Sequence, residues 1–205
     1  MVLVYSGARF RVDAAHSKHN EAASGFLKPL EPLPFLNGIS RMLKIFRSTI
    51  YVRIKPERLS VLHIGSGKVF ADEPTIAIEQ RNGKSYIAAI GRQADTKAGP
   101  PNFTIVNGFK HPRTPIADFT IAEMTLKHFL RQVLPRSIFA ISPTLVMHPL
   151  EDYAGDLTQV EIRAFAELGF GAGGRTVYVW QGAELSQAEL RALQFLPAKG
   201  RVLYP

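Results

Sequence analysis

The stretch from Ile116 to Leu134 limits more than any other what this chain can fold into. Asp118 carries a short side-chain acceptor that can take the first free N–H groups of a helix. Apolar residues then recur at helical spacing: Ile121, Met124 or Leu126, Phe129, Leu130 and Val133. Pro135 lacks an amide hydrogen and closes the helix. The pattern predicts one amphipathic helix over about 118–134, whose apolar stripe has to be covered by other elements.

The flanking residues follow a different period. Thr49 to Ile54 is rich in β-branched and aromatic residues, Lys55-Pro56-Glu57 turns the chain, and Arg58 to Ile64 alternates again. Gly65-Ser66-Gly67 then leads into Lys68 to Phe70, which completes a three-stranded meander. Thr75 to Gln80 and Ser85 to Ile90 flank Arg81-Asn82-Gly83-Lys84, a hairpin signal. A short helix is expected over Gly91 to Lys97, a short strand over Phe103 to Val106, and a rigid loop over His111 to Pro115. Thr144 to His148 reads as a buried strand. Thr158 and Glu161 have the spacing of a capping box that opens a helix to about Leu168, and Gly169 to Gly174 ends it. Arg175 to Trp180 is another strand. Ser186 and Glu189 repeat the capping box before a last helix, Gln187 to Phe195, and Arg201 to Tyr204 reads as a short apolar tail.

A meander followed by alternating helix and strand gives an α/β fold: a mixed β-sheet with flanking helices. The hairpin region at about 73–110 reads as a small subdomain inserted into it. Residues 1–41 have little periodicity and are punctuated by Pro29, Pro32, Pro34 and Gly38, so an irregular arm is expected there. Met42 is an alternative start, which would leave that arm outside the native protein and the domain at 42–205.

Several function classes are excluded or disfavoured. A chain of 205 residues can bury one core, or one core with a small satellite. With no cysteine it has neither a disulfide framework nor a thiolate metal site. No apolar run reaches the length of a membrane span, and a cytoplasmic location is expected. The net charge of +8 favours anionic partners, whether nucleic acid, anionic lipid or an acidic protein surface, and equally suits plain solubility. The six histidines show no ligand spacing, and His63 and His148, set in apolar strands, read as packed and hydrogen-bonded. The glycine-rich run at 169–174 follows a helix and is not followed by Lys-Ser/Thr, so it is no P-loop. A two-metal nuclease needs converging carboxylates, but the first strand offers Arg53, and Asp118 caps a helix. Lys84, Arg92, Lys97, Lys110 and Arg113 gather basic charge around the hairpin region. Without a base-reading motif they support at most non-specific phosphate contact, which argues against nucleic acid as the partner.

Five segments, taken in order, resemble the N-terminal half of the MreB family of rod shape-determining bacterial actins. Gly67 to Thr75 is similar to that family's strand and turn ending in Asn-Glu-Pro-Ser, and Ala88-Ala89-Ile90-Gly91 to its Ala-Ala-Val-Gly. Ile116-Ala117-Asp118-Phe119 with its helix matches most specifically. Leu157 to Glu161 resembles a helix start of the form Ala-Thr-Gln-Val-Glu, and Gly171 to Val177 resembles Gly-Ala-Gly-Ala-Arg-Glu-Val. Order and spacing hold over about 42–180. The resemblance implies the first lobe of an actin-like fold, RNase H-like, with its small inserted subdomain.

The departures bear most on function. Such ATPases hold ATP between two lobes, and the first lobe supplies a loop of the type Asp-Leu-Gly-Thr-Ala-Asn-Thr. Its glycine lets N–H groups approach phosphate, its hydroxyls donate, and its acid helps organise Mg²⁺. The corresponding residues here run from Arg53 to Leu59, with no glycine, hydroxyl or aspartate, and Pro56 removes an N–H. The matched segments stop where the family continues into a second lobe. The expectation is a protein that is not an enzyme, with no cofactor and no metal. Glu161 stands where the family places a glutamate that orients the attacking water, and it is equally the second member of a capping box with Thr158. Met42, Leu43, Lys44, Ile45, Phe46 and Arg47 resemble the family's membrane-binding N-terminus. They form a short basic-amphipathic stretch suited either to weak contact with an anionic bilayer or to a first turn packed on the sheet. The expected partners are an actin-like filament protein or another component of the shape machinery, or a second copy of the chain. Two alternatives remain: an ATPase completed by another chain, and a basic nucleic-acid-binding module.

Overall fold

The computed structural model describes residues 48–134, 142–150 and 156–205. The arm at 1–41, the Met42–Arg47 stretch, Pro135 and residues 151–155 lie outside the described residues. In chain order the elements are β1 (Thr49–Lys55), β2 (Arg58–His63), β3 (Val69–Asp72), β4 (Thr75–Arg81), β5 (Lys84–Ile90), a 3-10 helix (Gly91–Lys97), β6 (Phe103–Asn107), α1 (Phe119–Val133), β7 (Thr144–Pro149), α2 (Gln159–Gly171), β8 (Thr176–Gly182), α3 (Gln187–Ala192) and β9 (Gly200–Tyr204).

Two sheets form. The larger has the order β3-β2-β1-β7-β8-β9, and the smaller β5-β4-β6. In the larger sheet β1 is parallel to β7 and β7 to β8, while β2, β3 and β9 run antiparallel to their neighbours. Side chains alternate across a strand, so β1, with neighbours on both sides, feeds two cores. Ile50, Val52 and Ile54 point to one face, where α1 and α2 deliver Ala122, Leu126, Phe129, Leu130, Val133, Ile162 and Phe165. Tyr51 points to the other face and joins Ile64, Val146 and Trp180 beneath Leu185 and Leu190 of the α3 region. Each large side chain fully buried in this way contributes about 1.5–3 kcal/mol.

The helix ends follow the capping chemistry. Asp118 accepts from Ile121 N, while Thr158 with Glu161 and Ser186 with Glu189 each close a reciprocal box. In α1 the ambiguity between Met124 and Leu126 resolves: Leu126 is fully buried and Met124 is 40% exposed. The C-terminal region differs from expectation in two ways. The last helix ends at Ala192, well short of Phe195, because Leu193 takes a left-handed conformation (φ 50°) and its N–H turns back to Glu189 O. The segment read as an apolar tail is a strand, β9, paired antiparallel with β8 and covering its free edge.

The smaller sheet is joined to the start of α1 through Gly108. Its carbonyl accepts from Ala117 N at 2.8 Å and Asp118 N at 3.2 Å. A Cβ added there would lie 2.5 Å from Ala122 N and 2.9 Å from Ala122 Cα, both rigid helix backbone. Gly108→Ala is therefore expected to lower the stability to urea by about 1–3 kcal/mol, the usual cost of an overpacked contact that cannot relax. An unchanged urea midpoint would contradict this account of how the second sheet is seated.

Candidate functional site: the carboxyl end of the parallel strands

In open α/β sheets, ligands bind outside the carboxyl ends of the parallel strands. Here those ends are Lys55, Pro149 and Gly182. The connection after β1 is as short as an antiparallel pair allows: Lys55 pairs with Arg58, leaving only Pro56 and Glu57 in the turn. Asn107 Nδ2 donates to Pro56 O at 2.8 Å, which ties this turn to the second sheet. The turn contains no glycine, and Pro56 carries no N–H.

Arg53 is committed to neighbours within the chain. Its guanidinium donates to Glu184 Oε2 at 3.0 Å and to Ser60 Oγ at 3.2 Å, and lies 5.9 Å from the centre of the Tyr51 ring. The Arg53 side chain is 32% exposed and that of Glu184 is 58% exposed. A pair so open to water contributes about 0–1 kcal/mol, so its consequence is occupancy more than stability. Alongside it, Arg201 donates to Asp156 Oδ2 at 2.7 Å and to Gln181 Oε1 at 3.1 Å.

Beneath the arginine lies a buried pair, Tyr51 and His148, whose rings stack with centroids 5.7 Å apart. Gly182 O, 3.0 Å from His148 Nε2, can only accept, so Nε2 carries the proton. His148 Nδ1 is then the acceptor for the Tyr51 hydroxyl, whose oxygen in turn accepts from Leu185 N at 3.3 Å. Burial pushes the Tyr51 hydroxyl up to about 12 and the His148 imidazole down to about 4. Each polar atom of the pair is engaged, so the relay holds β1, β7 and the turn after β8 together and leaves no lone pair facing solvent. His63 likewise bonds Ser66, through Nδ1 to Oγ at 2.8 Å.

Glu161 sits at the first turn of α2. Its Oε2 accepts from Thr158 N and from Thr158 Oγ1, both at 2.8 Å, and Thr158 Oγ1 accepts from Glu161 N at 3.3 Å. Arg163 on the same helix pairs with Glu167 at 2.8 Å. Among the described residues no group of three or more His, Cys, Asp or Glu side chains converges as a metal site would require. Sequence reasoning singled out Arg53 and Glu161 but not the pairing of Arg53 with Glu184 and Tyr51, nor that of Arg201 with Asp156. Their roles depend on partners far away in sequence, and no local spacing announces them.

A larger sheet in which β1, β7 and β8 run parallel with antiparallel β2 and β3 beside them, two helices on one face and a second small sheet, is the first lobe of an actin-like protein. Solved structures agree at the level of fold. MreB5 of Spiroplasma citri bound to AMPPNP superposes with a TM-score of 0.52 at 17% identity, covering 65% of this chain and 38% of that one. A non-polymerising MamK mutant bound to AMPPNP gives 0.52 at 12% identity, covering 66% and 41%. The family model described as MreB/Mbl protein matches residues 56–188. The cell shape-determining protein MreB of Escherichia coli (strain K12) is 33% identical over 150 residues, 71% of this chain and 38% of that protein. Mbl of Bacillus subtilis (strain 168) is 29% identical over 122 residues, 58% of this chain and 34% of that protein. The chain belongs to the MreB/Mbl family of cell shape-determining, actin-like cytoskeletal proteins, and it spans about 38% of the length of the curated MreB relatives it matches.

Two outcomes follow from the site's geometry. His148 is neutral in the fold down to about pH 4, whereas the unfolded chain takes up that proton near pH 6.5. Its stabilising effect is complete above pH 6.5 and is lost as pH falls towards 4. Urea unfolding should show about 2 kcal/mol lost from this group between pH 7 and pH 5, and His148→Gln should flatten that slope. An equal slope in the variant would contradict the relay. For Glu161, replacement by Gln preserves the cap and should cost only a few tenths of a kcal/mol, whereas Glu161→Ala should cost about 0.5–1 kcal/mol. Equal losses for the two variants would mean that charge, and not the box, is what the carboxylate supplies.

Proposed function

We propose that this chain is a non-catalytic member of its family and acts in the cell-shape cytoskeleton by binding. Its partner is an actin-like filament protein or another component of that machinery. The observation that carries the reading is the closed carboxyl end of the sheet. A two-residue Pro56-Glu57 turn and the Arg53–Glu184 pair stand where nucleotide-binding relatives need a glycine- and hydroxyl-bearing loop. MreB5 and the MamK mutant were solved with AMPPNP. This chain keeps their fold without the N–H cradle that holds phosphate.

The smaller sheet acts as the inserted small subdomain of the lobe and offers the docking edge. Its outer strand β5 leaves Tyr86 50% and Ile87 48% exposed, an apolar pair on an unpaired strand edge. Met42 to Arg47 adds a weak, reversible contact with anionic lipid on the cytoplasmic side, where four apolar residues and two cations suffice for transient binding. A copy of the chain itself is a further partner for the same edge.

The test is co-sedimentation of the full 205-residue chain with filaments of a full-length MreB relative, with and without Tyr86→Ser/Ile87→Ser. The expected outcome is pelleting that depends on filaments and weakens at least severalfold in the double variant. A chain that stays in the supernatant at every filament concentration would sink the proposal.

A further inference from the structure

The opposite, amino-terminal end of the parallel strands carries a second concavity, independent of the site above. Thr49, Thr144 and Thr176 pair across β1, β7 and β8, so three hydroxyl-bearing side chains stand in one row on one face. Two residues further along each strand, that face carries Tyr51, Val146 and Tyr178, which pack under α3 and the segment after it. Helix α3 is only 6 residues long, and its last two residues, Arg191 and Ala192, face the same space as the threonine row. What it leaves uncovered is a cavity of about 490 Å³, lined by the three threonines, Ser48, Arg175 and Arg191 among others.

No acid lines this cavity, and neither arginine has an acidic partner among the described residues. The Ser48 hydroxyl is buried without a hydrogen-bond partner among those residues. Both arginines sit on fixed backbone. Arg175 N donates to Pro143 O at 2.8 Å, directly after the turn in which Gly174 N donates to Gly169 O. Arg191 lies in the last turn of α3, which Leu193 ends in a left-handed conformation seldom held by a non-glycine residue; Leu193 itself lines the cavity. Two guanidinium forks carried on fixed backbone beside a row of hydroxyl donors are the chemistry that recognises phosphate oxygens, and the volume suits a small phosphorylated molecule more than a lone ion.

We propose that this cavity is a phosphate-binding site at the end of the sheet remote from the nucleotide end of the fold, gripped by Arg175 and Arg191 and lined by Thr49, Thr144 and Thr176. The phosphate comes from a free small molecule or from a lipid headgroup; the two share the chemistry and differ in the test. Inorganic pyrophosphate is titrated into the full 205-residue chain at low salt and followed calorimetrically. Flotation with phosphatidylglycerol vesicles is run in parallel. Arg175→Gln/Arg191→Gln is compared with Arg163→Gln, which removes one exposed cation elsewhere, and urea midpoints confirm that each variant folds. The expected result is saturable pyrophosphate binding or vesicle flotation that falls at least tenfold in the double variant, is unchanged by Arg163→Gln, and is partly restored by Arg175→Lys/Arg191→Lys. Pyrophosphate binding without flotation assigns a free ligand, and flotation lost in the double variant assigns a headgroup. Absence of both in the wild type, or an equal loss with Arg163→Gln, overturns the proposal.

Discussion

The constraint on which everything else in this molecule depends is the double burial of its central strand. A strand with parallel and antiparallel neighbours and apolar residues on both sides needs cover on both faces. Helices α1 and α2 cover one face. The second is covered by this chain's own C-terminal segment, with Leu185 and Leu190 lying over Tyr51, Val146 and Trp180. The seating of β9 completes that cover and is strict. A Cβ at Gly200 would meet Gln181 O at 2.2 Å and Trp180 Cζ2 at 2.7 Å, and Gly182 holds a φ of 145° against the Lys199 carbonyl. Lys199 to Glu189 and Arg201 to Asp156, each at 2.7 Å, fasten the strand on either side.

That cover also shapes the carboxyl end of the sheet. The turn from β8 into α3 brings Glu184 over Arg53 and Leu185 N onto the Tyr51 hydroxyl. The same few residues thus seal the second core and cross the carboxyl end of the parallel strands. The proposed loss of nucleotide chemistry and the packing of the second face are in this way one structural arrangement. Burial holds Tyr51 and His148 each in its uncharged form at neutral pH.

Local signals made much of this legible in the sequence. Both capping boxes, the Asp118 cap, the meander and the hairpin turn are chemistry within a few residues, and each stands in the structure where the spacing places it. His148 read correctly as a packed, hydrogen-bonded residue, but its partner Tyr51 lies 97 residues away and could not be read. Arg53 and Glu184 are 131 residues apart, with no periodicity linking them. Strand β9 was hidden for a related reason: a four-residue apolar stretch is ambiguous until a partner edge exists, and pairing is a tertiary event. The end of α3 at Ala192 was missed because the apolar pattern continues through Leu193 to Phe195 while the backbone turns left-handed. That the run from Arg53 to Leu59 lacks what a phosphate needs became meaningful only through the family resemblance, which supplied the loop to compare it with.

The most direct measurement is a titration of the full chain, alone, with a fluorescent ATP analogue in the presence of Mg²⁺. The account predicts no saturable binding at the carboxyl end of the sheet: any response is lost in Arg175→Gln/Arg191→Gln and unchanged in Arg53→Ala. Tight, Mg²⁺-dependent binding that persists in Arg175→Gln/Arg191→Gln would contradict it, because a two-residue turn and an engaged arginine would then be holding a phosphate they have no groups to hold.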